Sequence, residues 1–342
     1  MMHRSFKQFF PFATVDVDNT PTRVESLWFS DGSLVLQAEN SLFRVSGAVL
    51  AARSPVFKDM LAFPQPADAE TIDGCPVVRL PDSATEVTHF LRALFDSSFF
   101  EPFPAKPALT AVVSILRLGN KYAVDYLRRR ALVHLSSGFS TTLSHYDQDD
   151  ENRGSVPEIY DSEYSGLVLA IQTSRKVAAL WILPSAFYYL AAARDDRIQR
   201  VLDCAVHESH PANLSPADQI VFLKSSLQIS RAVPHTTRFL HAPPIIPGCT
   251  GGEGCLAARL RAVGKVQTAA AGHSLCAADP LGICSGRELL EDLEDACCRA
   301  CCQFSEQANA EARQEFWDQL PGICGLPPWE ELEKMKEEAL EA

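Results

Sequence analysis

Along the chain the apolar positions change period several times, and each change predicts an element. Leu34 and Leu36 alternate with Val35 and Gln37, Glu39 and Asn40 supply a turn, and Leu42 to Val45 return, so the spacing predicts a β-hairpin after an extended start at Trp28. Ser46 then stands where an N-cap belongs, ahead of Val49, Leu50 and Phe57 at near-helical intervals. Pro55 disfavours a helical Ser54 but suits a first helical turn, so one short helix should stop and another start there. Pro64, Pro66, Asp68 and Gly74 mark a loop, and Val77, Val78 and Leu80 a third strand. Ser83 and Glu86 have capping-box spacing, so a helix opens there with Val87, Phe90, Leu91 and Leu94 on its buried stripe. Phe95 to Phe103 breaks into a loop, after which Leu109, Val112, Val113 and Leu116 predict a helix, and Tyr122 and Leu127 continue into another. Leu50, Phe57, Phe90 and Leu116 are expected in the core.

Beyond Gly138 the period is lost until Leu167, then turns helical as far as Val233. Ser215-Pro216-Ala217-Asp218 supplies a cap, a first-turn proline and a third-position carboxylate, which predicts a helix from Pro216. Val177 to Ala193 is almost wholly apolar, but it falls short of the roughly 20 residues that span a bilayer and carries Pro184 and Ser185 at its middle. Two buried helices meeting at Pro184 are expected instead. Pro243-Pro244, Gly251-Gly252 and an alanine run suggest a flexible insert. Ser285 to Glu288 repeats the capping-box spacing before a stripe of Leu290, Leu293, Cys297, Ala300, Cys301 and Phe304, and Pro327-Pro328 starts a short acidic helix. The resulting organisation is an N-terminal arm (1–24), a mixed domain (25–138), a polar linker (139–165), a helical domain (166–233), a flexible insert (234–284) and a C-terminal helical segment (285–342). The fold class is α+β: a small sheet with a helical cluster, followed by an all-α region and an acidic helical segment.

Three separated segments of the mixed domain resemble the BTB/POZ family. They are FRV with AVLAARSPVF inside Phe43 to Leu61, VVRLPDSATEVTHFLRALF at Val77 to Phe95, and LRLGNKYAVDYLRRRAL at Leu116 to Leu132. The resemblance implies a non-catalytic protein-interaction module, commonly dimeric. WILPSAFYYL, LSPADQIVFL and LPPWEEL are similar to segments of uncharacterised BTB proteins of filamentous and mushroom-forming fungi, a likeness that implies no activity. Two positions depart from the family pattern. Ser46-Gly47 stands where His-Lys is usual, with Asp31 or Ser33 near the place of an expected acid, which bears on the charged pocket that some relatives use for corepressors. Ala111-Val112-Val113 stands where cullin-binding relatives carry a hydrophobic-x-acid motif.

The formal net charge of −12 is concentrated at the end, since residues 286–342 hold 15 acidic and 5 basic residues. That sign repels phosphate backbones, so no nucleic-acid partner is expected. Arg128, Arg129 and Arg130 are read as cations near a helix C-terminus. Lys7 and Pro11 interrupt the apolar start, so no secretory signal is expected, and eleven cysteines then point to reduced thiols in the cytoplasm or nucleus.

Cys298-x-x-Cys301 is half of a zinc site, and Cys249, Cys255, His273, Cys276 and Cys284 lie upstream without a second Cys-x-x-Cys. Cys297 and Cys301 fit an apolar helical stripe as small hydrophobes, so no metal ligand is assigned. Cys204, His207 and His210, three residues apart, are read as surface or core residues of a helix. Gly252-x-Gly254-x-x-Ala257 follows prolines instead of a strand, so it is no dinucleotide turn. With no G-x-S-x-G, P-loop or H-E-x-x-H spacing, neither a catalytic residue nor a cofactor is expected. The function expected is self-association and partner docking; the alternatives are a substrate adaptor of a cullin-type ligase and a zinc-dependent regulatory protein.

Overall fold

Leu34, Val35, Leu36 and Ala38 are all buried, on both faces of one strand, which marks that strand as the middle of a sheet. In the computed structural model, which describes residues 20–63, 70–148, 154, 156–160, 164–192, 196–203, 206–272, 280–285 and 293–341, this strand is β2 (Leu34–Ala38). The sheet order is β1-β3-β2-β5-β4, with β1 Thr22–Trp28, β3 Ser41–Val45, β4 Thr71–Ile72 and β5 Cys75–Leu80. The hairpin forms as the alternation predicts, with Leu34 opposite Val45 and Leu36 opposite Phe43, and Glu39 takes a left-handed φ of 49° at its turn. β2 also pairs in parallel with β5, Val35 opposite Val77. Val35, Leu42 and Cys75 pack on one face with Trp28, Ile72 and Val77 around them.

The sheet extends further back than the arm expected over residues 1–24. Residues 22–24 belong to β1, which lies parallel to β3; residues 1–19 lie outside the described ones. Thr22, Arg23, Glu25 and Ser26 are exposed, as suits an edge strand, and their polarity hides the strand from a search for apolar alternation.

Two helices follow, α1 (Gly47–Arg53) and α2 (Pro55–Ala62). The Ser46 hydroxyl accepts from the Val49 N–H at 3.4 Å, and the Ser54 hydroxyl from the Phe57 N–H at 3.0 Å. Leu50 and Phe57 are fully buried, whereas Val49, expected on the same stripe, is 38% exposed. A seven-residue helix has one inward face, and Gly47 and Leu50 occupy it. α3 (Ala84–Phe95) begins where the Ser83 hydroxyl accepts from the Glu86 N–H, and the division between the chain's two compact units falls within it, between Thr88 and His89.

In the second unit α4 (Leu109–Lys121) packs against α5 (Asp125–Ser136). Arg128 to Arg130 lie in the first half of α5, so they do not serve its C-terminal dipole as expected; Arg130 donates to the Phe100 carbonyl instead. Phe90 and Leu116 are buried as expected. The segment read as a polar linker is packed where it is described: α6 (Leu143–Gln148) lays Tyr146 against Tyr188, Tyr189 and Trp317, and Val156 and Ile159 are fully buried. A few aromatic and branched residues in an otherwise polar stretch are enough to hold it down.

α7 (Ser165–Lys176) ends just before the apolar run, which α8 (Leu183–Ala191) carries; a short 3₁₀ turn at Leu180–Ile182 replaces the first of the two helices expected to meet at Pro184, which takes an N-terminal position in α8. Among the described residues no helix is long and apolar enough to cross a membrane. α9 (Asp196–Asp203) precedes a two-stranded hairpin, β6 (Val206–His207) and β7 (His210–Pro211). α10 (Pro216–Thr236) starts at Ser215 as the sequence predicts, with Asp218 also paired to Arg175 at 3.0 Å.

The stretch read as a flexible insert holds α11 (Glu253–Gly272), which packs Ala262 and Val266 on Phe239 and Leu240. After α12 (Pro280–Ser285) come α13 (Arg299–Ile323) and α14 (Trp329–Glu341). Of the capping box expected between them, Ser285 is the last residue of α12, while residues 286–292, Glu288 and Leu290 among them, lie outside the described ones. α13 is fixed by Arg313, whose guanidinium makes two hydrogen bonds to Asp147 at 3.0 and 2.5 Å, and by Trp317 stacked on Trp329. The acidic helix α14 buries Leu332 and packs on α5, so its apolar side is already covered.

Phe57→Ala should cost about 3–5 kcal/mol of unfolding free energy, whereas Val49→Ala should stay within about 0.5 kcal/mol. Denaturant titrations at unchanged slope check both.

Candidate functional site

Three groupings bring chemistry-bearing side chains together. The first is made where α13 begins. Cys298 keeps an extended backbone (φ −73°, ψ 159°) and the helix starts at Arg299, so Cys297 lies outside it and the expected Cys297–Cys301 stripe does not form. The break turns Cys298 and Cys301 toward Cys249 and toward Cys255 in the first turn of α11, and the four sulfurs lie within 4.8 Å of one another. Cys249 and Cys298 are 3.8 Å apart, far beyond the ~2.05 Å of a disulfide. Cys255 and Cys301 are buried, Cys249 and Cys298 half-buried, with Ile246 and Phe304 packed against them.

The Cys298 N–H donates to the Cys255 sulfur at 3.2 Å. Around the Cys298 sulfur, the N–H of Cys301 first and then those of Thr250 and Gly251 hold the thiol down to about 5, although its side chain closes no cap hydrogen bond of ordinary geometry. Burial, then bonding to the neighbouring thiols, raises Cys301. Sequence reasoning paired Cys298 with Cys301 and named Cys249 and Cys255 only among five upstream candidates, because five residues separate Cys249 from Cys255 where knuckles usually have two to four. His273, Cys276 and the side chain of Cys284 lie outside the described residues.

The second grouping is of histidines. His207 and His210 sit on β6 and β7 and not on a helix, and Cys204 lies outside the described residues. His207 Nδ1 is 2.7 Å from the Ser165 hydroxyl. The Ser114 oxygen is 2.9 Å from His210 Nε2 and 3.0 Å from His89 Nδ1, while its proton is given to the Thr110 carbonyl at 2.6 Å. Its lone pairs therefore face the two imidazoles, the reverse of the polarity that activates a serine, and neither His89 nor His210 hydrogen-bonds a carboxylate among the described residues. Burial first, then the neighbouring His89, lowers His210 to about 4, so it is neutral near pH 7.

The third grouping is a surface. β1 presents an edge with no partner strand among the described residues, carrying Arg23, which lies over the Trp28 ring and pairs with Asp73 at 3.1 Å. At the start of α1 the Gly47 N–H donates to the Ser33 hydroxyl at 3.1 Å, so this junction is polar and uncharged. Separately, Ile220, Leu223 and Leu227, each about half exposed, line one face of α10.

Residues 26–138, from within β1 to just past α5, match the family model of the BTB/POZ domain. The chain carries a BTB/POZ domain. No curated protein and no solved structure matches the chain.

The BTB/POZ domain is a protein-interaction fold, and the chain pairs it with a helical region, in keeping with the α+β class read from the sequence. Its departures from the family pattern have physical form here. Ser33 and Gly47 bond to each other, and Ala111, Val112 and Val113 are all buried near the start of α4. The cysteine cluster lies wholly outside residues 26–138.

Because the unfolded chain binds a proton at the ordinary histidine value of 6.5 and the folded His210 only at about 4, stability is complete above 6.5 and is lost as pH falls through that window. His210→Gln should therefore lose less of its melting temperature than the parent between about pH 7 and pH 4.5. Parallel melts of the two proteins across that range check the sign.

Proposed function

We propose that this protein is a non-catalytic interaction protein that self-associates and docks a protein partner through its BTB/POZ domain. The single observation that carries the reading is the match of residues 26–138 to an interaction fold. The unpaired edge of β1 supports it, since exposed strand N–H and C=O groups are a template for adding a strand from a second chain. Arg23 and Glu25 on that edge would favour a partner that brings complementary charge and discourage indiscriminate pairing. Neither nucleic acid nor membrane is a partner in this reading, and the protein works inside the cell, in cytoplasm or nucleus. The likeness of its helical segments to fungal BTB proteins belongs to the same proposal and adds no activity to it.

Adaptor for a cullin-type ligase is the second reading, favoured by the domain alone. Burial of Ala111 to Val113 and the lack of a carboxylate among them count against it. Zinc-dependent regulation, the remaining alternative, would rest on cysteines outside residues 26–138, where Cys75 is the single cysteine.

Light scattering after gel filtration of the full chain at micromolar concentration should give twice the 37.6 kDa chain mass. A steady mass of one chain overturns self-association. Retention of the chain on an immobilised cullin, with the mass unchanged, would replace docking by the adaptor reading.

A further inference from the structure

We infer that Cys249, Cys255, Cys298 and Cys301 form a structural zinc site that ties the loop before α11 to the start of α13. A tetrahedral ion with Zn–S bonds of about 2.3 Å sets its sulfurs about 3.8 Å apart, the distance between Cys249 and Cys298, and all four sulfurs fall within 4.8 Å. That space admits one ion; a cluster of two or more irons would drive the sulfur pairs further apart. Four soft donors with no open position describe a closed, non-catalytic site.

Three further features are those of a site built for thiolates. A peptide N–H is aimed at sulfur, from Cys298 toward Cys255 at 3.2 Å, and such a donor orients and steadies a ligating sulfur. A side chain at Gly251 would collide with the Cys255 sulfur, since a Cβ built there comes within 2.3 Å of it, so only glycine lets the loop close over this ligand. The third is a buried charge. Arg259, one helical turn beyond Cys255 and 1% exposed, donates to the carbonyls of Phe239, Pro243 and Pro244 and meets no carboxylate among the described residues. A zinc tetrathiolate carries two negative charges, which supplies the buried guanidinium with the counter-charge its carbonyl partners lack.

On binding, Zn²⁺ takes the place of the thiol protons, which pass to solvent, and no electron is transferred. The elements joined are distant in sequence, so the ion acts as a cross-link beside the packing of Ile246 and Phe304.

The test is metal analysis of the full chain purified under reducing conditions without chelator. About one zinc per chain is expected, and cobalt substituted for it should show thiolate charge-transfer bands and the visible bands of a tetrahedral ion. Gly251→Ala should weaken zinc retention against a competing chelator at least tenfold, whereas Gly254→Ala, whose added methyl meets open space, should leave it unchanged. Cys302→Ser should keep the full complement, which separates ligand loss from general damage to the CCRACC segment. Zinc well below one equivalent, a mononuclear iron in its place, or a Cys249–Cys298 disulfide in the freshly isolated protein overturns the assignment. These outcomes are independent of the mass measurement on self-association, because the site shares no residue with the BTB/POZ domain.

Discussion

The start of a helix leaves N–H groups that nothing inside the helix can satisfy, and this chain is organised around the residues that meet them. Ser46, Ser54, Ser83 and Ser215 each hold an oxygen over such a group. Each therefore fixes where extended chain becomes helix, and so the direction in which the next apolar side chains are sent. Between Ser46 and Ser54 the interval is short enough that α1 and α2 must be separate helices, and the second cap, itself buried, sends Phe57 into the interior. At Cys298 the same position is held by sulfur. A thiol is a weak acceptor, so the cap is met weakly there unless the sulfur is ionised, and this ties local helix chemistry to what gathers around it.

Caps and prolines are local signals, which is why so much of the first third was legible. The break at Ser54-Pro55, the start of α3 and the start of α10 all follow from residues within four positions of one another, and the hairpin from about a dozen consecutive ones. What escaped was set by contacts remote in sequence. β1 is polar because it is an edge, and only its pairing with β3 makes it a strand. α6 lies in a polar stretch and is held by Tyr146 against rings more than forty residues away. The cysteine stripe was read with a helical period that the extended Cys298 interrupts, and two of the four thiols come from the start of α11 and the loop before it, more than forty residues earlier in the chain. No periodicity within a window reports such a return.

Two buried arginines illustrate how differently one unit can accommodate the same charge. Arg313 meets Asp147 through two hydrogen bonds, and the pair fixes α13 to α6 at a defined rotation. Arg259 instead gathers carbonyls from a proline-bearing turn, whose lack of N–H donors leaves those oxygens free to accept. The prolines that suggested a flexible insert thus form part of a packed corner.

The covering of α5 has a practical side. Trp181 donates to Ser136 at 3.0 Å, Trp317 to the Thr141 carbonyl at 3.3 Å and Thr141 to Glu333 at 2.9 Å, while α14 itself lies on α5. The boundary that a family alignment draws at residue 138 is therefore not a boundary of the folded interior. A fragment trimmed there would bare a face that the last forty residues of the chain are shaped to sit on, and whatever stickiness it showed would be borrowed from that wound.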